Sequence, residues 1–97
     1  MNAEIIDHLN NGTGEALVIL PTSVEITALR DLIRGECDII RCNMHLMMTE
    51  NASIILHTEH SLTLSSIKGS VFSKVFISEI VHTSNDITEE IKCRMKP

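Results

Sequence analysis

Residues 38–58 read DIIRCNMHLMMTENASIILHT, and the way this stretch divides into strands decides the architecture. Ile40, Cys42, Met44, Leu46 and Met48 fill every even position, with Arg41, Asn43 and His45 between them. A period of two predicts one strand over 38–48, with a buried face and an outward face. Thr49-Glu50-Asn51 predicts a turn, and 52–58 alternates again, with Ala52, Ile54 and Leu56 against Ser53, Ile55 and His57. A three-residue loop keeps like faces together: Met48 opposite Ala52, Leu46 opposite Ile54, Met44 opposite Leu56. On the other face that register sets Asn43 opposite His57 and Arg41 opposite Glu59, a supporting charge pair. A two-residue loop would set apolar side chains opposite polar ones and is not expected.

Working upstream, Ala16-Leu17-Val18-Ile19-Leu20 is a continuous apolar run short enough for a buried strand. Pro21 stops it. Thr22-Ser23-Val24-Glu25 has the form of a capping box, in which Thr22 accepts from the amide of Glu25 and Glu25 reaches back. A helix is expected over 22–34, burying Ile26, Leu29 and Ile33, with Gly35 as a left-handed terminator. Strand 16–20, this helix and strand 38–48 together read as a right-handed βαβ unit with parallel strands. Residues 2–10 predict a short helix that exposes Asp7 and His8 and ends at Asn11-Gly12. Gly12-Thr13-Gly14 is a turn, since no Gly-Lys-Ser/Thr follows to make a phosphate loop.

Downstream, 62–67 reads as a strand and Lys68-Gly69 as a hairpin turn into 70–81. That register would pair Leu64 with Ser73 and Leu62 with Val75. In 70–81, SVFSKVFISEIV, the apolar spacing also fits a helix, and composition favours a strand. Asp86-Ile87-Thr88-Glu89 opens a capped final helix with Ile87 and Ile91 inward. The expected fold is α+β. It is a single domain over 1–97, a two-layer sandwich of a mixed sheet of about five strands with helices on one face. A βαβ unit is followed by an antiparallel meander.

Composition narrows the function classes. The chain has 97 residues, no Trp or Tyr, and a net charge of -5. Residues 1–60 hold nine acids and three bases. An acidic chain without a Lys/Arg run repels phosphate backbones and anionic lipid, so direct nucleic-acid or membrane binding is not expected. The N-terminal residues lack a cationic, apolar leader pattern. Three cysteines, odd in number and without a framework spacing, fit reduced thiols and a cytoplasmic protein.

Two patterns suggest chemistry. Cys42-x2-His45 followed by His57-x2-His60 has zinc-like spacing, but Cys42 and His45 differ in strand parity. The metal reading therefore reduces to His45, His57 and His60, with zinc as the cofactor it implies. A cysteine-dependent enzyme would use Cys93, which lies between Lys92 and Arg94, whereas a buried Cys42 is inert. Otherwise no cofactor is expected. The outward sheet face gathers Arg41, Asn43, His45, His57, Phe72, Lys74 and Phe76, the only aromatics included. Such a face serves protein contact or, less consistently with the net charge, stacking of single-stranded bases.

The expectation is a small, acidic, non-enzymatic protein that acts through protein–protein interaction as an inhibitor or adaptor. One form would be a mobile-element protein that blocks a host nucleic-acid-binding complex by offering carboxylates to a basic groove. Its partner is another protein or, in a homodimer, a second copy of itself.

Overall fold

The computed structural model describes residues 1–67 and 71–95, so the Lys68-Gly69 hairpin lies outside the described residues. Helix α1 (Asn2–Asn11) leads into strand β1 (Gly14–Leu20) and helix α2 (Ser23–Glu36). Strands β2 (Arg41–Cys42), β3 (Leu46–Met48) and β4 (Ala52–Thr58) follow. Helix α3 (Leu64–Ile67), strand β5 (Lys74–Ile77) and helix α4 (Asn85–Arg94) complete the chain. The strands form one mixed five-stranded sheet in the order β2-β3-β4-β1-β5. The radius of gyration, 12.5 Å, is that of a single folded domain of this length.

Strand β1 lies inside the sheet, between β4 and β5, and its residues are apolar on both sides. Ala16, Val18 and Leu20 enter one core with Ile5 and Leu9 of α1, Leu29 and Ile33 of α2, and Met47, Ile54 and Leu56. Leu17 and Ile19 enter a second core with Leu62, Ile67, Phe72, Val81, Ile87 and Ile91. A strand buried on both faces reads as a continuous apolar run, as 16–20 does. Helices α1 and α2 thus cover one face as expected, and α3 and α4 cover the other.

Stretch 38–48 is not one strand. Asn43 turns it into a hairpin: its Oδ1 accepts from the backbone N–H groups of both His45 and Leu46 at 2.9 Å. This Asx turn offers the backbone an alternative to continuing the ladder. Arg41 then pairs with Met48, and Cys42 with Met47. Reversal at Asn43 inverts the parity expected of β3, so Met47 is buried and Met44 is 77 % exposed. The loop into β4 is the two-residue one, because Thr49 pairs with Ala52 and donates its hydroxyl to the Leu9 carbonyl. Met47 therefore faces Ile54, and Leu46 faces Ile55. The pairs Asn43–His57 and Arg41–Glu59 do not form. Glu59 instead accepts from the His82 amide at 3.0 Å.

Consequently the parallel partner of β1 within the βαβ unit is β4, not β3. The other parallel neighbour is β5. Segment 62–67 is a turn and short helix, since Thr63 and Ser66 exchange side-chain-to-amide hydrogen bonds that close a helical turn. Gly35 lies inside α2, which ends instead where Cys37 turns extended. Thr22 caps α2 by accepting from the Val24 amide and pairs with the Glu25 carboxylate. Gly14 is the glycine whose conformation matters: its φ of +79° is one that side chains resist.

His8, expected on an exposed surface, is fully buried. Its Nε2 lies 3.2 Å from the carbonyl oxygens of Gly14 and Ser53, which ties α1 to the β1–β4 pair. Among the described residues no helix is long and apolar enough to cross a membrane.

Candidate functional site

The covered faces redistribute the residues expected on one open surface. Phe72 is 1 % exposed and belongs to the second core. Phe76 is half-buried against the first core, with its ring edge towards His8. His57 is buried, while Arg41, Asn43, His45 and Lys74 are exposed. Arg41 and Asn43 belong to the hairpin and Lys74 to the opposite edge of the sheet, so no single face unites them.

One expected pair does come together. The rings of His45 and His57 stack with centroids 5.4 Å apart and planes at 20°. His45 approaches the Leu56 carbonyl through Nδ1 at 3.2 Å, and His57 approaches the Ser61 hydroxyl at the same distance. Burial, and then the neighbouring His45 charge, hold the His57 imidazole below its ordinary value. His60 is exposed in the following turn. Among the described residues no group of three or more His, Cys, Asp or Glu side chains is placed to hold a metal ion.

The pair stands beside a crevice of about 520 Å³ lined by Ser23, Arg30, Arg34, His45, Thr58 and Ser61, among others. Its position follows from the topology. Leu20 ends β1 and is in register with Thr58 at the end of the parallel strand β4. After β1 the chain passes to α2 on the first core, and after β4 it passes to Leu62 and α3 on the second. Two adjacent parallel strands whose following helices leave to opposite faces open a gap at their carboxyl ends. In open α/β sheets this gap is where ligands bind. Thr58 and Ser61 shape one wall: each hydroxyl accepts from the other's backbone amide, at 2.9 and 3.0 Å.

Arg30 and Arg34, one turn apart on α2, bring the positive charge. Arg30 donates to the Met44 carbonyl at 3.0 Å and to the Cys42 sulfur at 3.1 Å. Arg34 donates to the same sulfur at 3.4 Å. That hydrogen bond, the charge interaction with Cys42, and then Asp31 hold the Arg34 guanidinium further above its ordinary value. Two of the three basic residues in the acidic stretch 1–60 thus meet in one crevice. The helix terminus itself is occupied by the Thr22–Glu25 cap, so side chains supply the contacts.

Cys42 is half-exposed rather than buried, because the hairpin puts it on an edge strand. The surroundings of Cys93 are less activating than its sequence neighbours imply. Arg94 pairs with Glu90 at 3.0 Å and Lys92 with Glu89 at 3.6 Å. Burial first, and Glu36 second, push the Cys37 thiol up.

Comparison of the chain with protein-family models, with curated proteins and with solved structures finds no match.

Proposed function

We propose that the chain is a small non-enzymatic binding protein that takes a phosphate- or carboxylate-bearing small molecule in the crevice at the carboxyl ends of β1 and β4. The observation that carries this reading is the convergence of Arg30, Arg34 and His45 with the hydroxyls of Ser23, Thr58 and Ser61 at that gap. A guanidinium presents a planar fork of donors that matches both oxyanions. The size suits a metabolite-sized ligand. Asp31, on the same wall, would accept from a ligand that carries a hydrogen-bond donor beside its oxyanion.

The test is a titration followed by amide and side-chain NMR, since the chain has no Trp or Tyr to report by fluorescence. Inorganic phosphate in one arm and succinate in the other distinguish the two oxyanions. Saturable shifts at Ser23, Thr27, Arg34, Thr58 and Ser61, abolished by Arg34→Gln, are expected in at least one arm. Absent or scattered shifts in both would overturn the reading.

A second reading, the inhibitor or adaptor that binds another protein, is favoured by Met44, which lines the crevice with 77 % of its surface exposed. An acidic partner segment would then set an apolar side chain on Met44 and a carboxylate on Arg34. Met44→Ser would abolish capture of such a partner, while phosphate or succinate would still give saturable shifts at Arg34, Thr58 and Ser61.

A further inference from the structure

Beyond reversible binding, the two arginines of the crevice wall also hold a nucleophile between them, the Cys42 sulfur beside the crevice. We propose that Cys42 is a thiol–disulfide exchange site selective for negatively charged low-molecular-weight disulfides. Three observations carry this. Cys42 is half-exposed on an edge strand, open to approach by a small molecule. The Nη2 atoms of Arg30 and Arg34 approach its sulfur at 3.1 and 3.4 Å. The second guanidinium nitrogen of Arg30 is anchored on the Met44 carbonyl, which fixes the first at the sulfur. Arg34 has no hydrogen-bond partner other than Cys42 among the described residues, which leaves its remaining donors for an entering carboxylate.

The thiolate is the species that attacks. Cys42 gives its proton to solvent, and its sulfur attacks one sulfur of the disulfide in line. The disulfide S–S bond breaks and the Cys42 mixed disulfide forms. The second half leaves as a thiolate and takes a proton from solvent. The disulfide is itself the oxidant, so Cys42 is oxidised by the reduction of the departing thiol and nothing further is consumed. A carboxylate held on Arg34 would keep the S–S bond at the sulfur while this occurs. Asp31 is the acid on the same wall, and its single charge opposes but does not cancel those of Arg30 and Arg34.

The other two thiols provide the contrast. Cys37 is pushed up by burial and by Glu36. Cys93 is exposed, but the cations beside it are already paired with Glu89 and Glu90. Cys93 is therefore an internal reference in the same chain.

The experiment treats the reduced full chain with glutathione disulfide, which is anionic, and separately with cystamine, which is cationic. Adducts are mapped to each cysteine by peptide mass spectrometry over time. The Cys42-to-Cys93 rate ratio should be higher with glutathione disulfide than with cystamine, on the order of tenfold or more. It should fall towards equality in Arg34→Gln and in ~1 M salt, where the field of exposed charges is screened. Salt keeps the test decisive should the variant fold poorly. Equal ratios for the two reagents, or adduct appearing first on Cys93 or Cys37 with glutathione disulfide, would overturn the proposal. The binding site uses the same two arginines, yet the readouts separate: selective exchange without phosphate or succinate shifts sinks the binding reading alone.

Discussion

His57 carries the site's response to acid. Burial, with the His45 charge as the second cause, holds its imidazole below the ordinary value of 6.5, so the folded state resists a proton that the unfolded chain accepts. The sign is fixed by linkage: where the unfolded state binds more protons, stability rises with pH. His57 therefore contributes stability that is present above about 6.5 and is lost as pH falls from there towards the lower folded value. Urea unfolding of the chain and of His57→Asn between pH 7.5 and 5 should show the parent losing stability relative to the variant as acid is added. Parallel profiles would show that His57 titrates alike in both states. The stack itself was partly legible in the sequence. Parity places His45 and His57 on a shared outer face, and the two rings do meet. His45 reaches His57 from a turn, however, and not from the strand that parity implies.

At the scale of elements, the decisive object is the hairpin between β2 and β3. Its formation rests on one exposed side chain, Asn43, whose oxygen serves two amides. Asn43→Ala leaves those amides to water, at a cost of about 0.5–1.5 kcal/mol in unfolding free energy. Hydrogen exchange should speed up at Ile40, whose amide donates to Met48, and remain slow at Ile54 in the centre of β4. Uniform acceleration across the sheet would mean that the hairpin is part of the global folding unit. This element also marks the limit of reading by periodicity. The sequence alternates over 38–48, but the reversal at Asn43 inverts which parity is buried beyond it, and only the Asn marks that reversal. The helices with clear stripes and caps were legible: Leu29 and Ile33 in α2, and Ile87 and Ile91 in α4, are buried as their spacing requires. Thr63 and Ser66, which close α3, give no clear signal because the apolar residues around them suit a strand equally well. Arg30 and Arg34 have a legible four-residue spacing on the helix that follows β1, but spacing alone does not mark a site that depends on which strand lies beside β1.

For the whole molecule, that neighbour relation determines where the crevice lies. A parallel β1–β4 pair with helices leaving to opposite faces creates a crevice, whereas a sheet covered on one side offers a face. The two arrangements make different demands on β1. In a one-sided sheet, truncating alternate residues of 16–20 would hurt only at one parity. In this structure Val18 faces the first core and Ile19 the second, and both are fully buried. Val18→Ala and Ile19→Ala should each destabilise the protein by roughly 1–5 kcal/mol, the outcome for buried aliphatic truncation. Because the two side chains enter different cores, the losses should be close to additive, which the double variant tests directly. For a domain with a total stability on the order of 5–15 kcal/mol, the double variant then approaches the unfolding threshold. Urea denaturation of the two single variants and the double variant measures this. A near-neutral result at either position would remove one of the two cores, and with it the switch point on which the crevice depends.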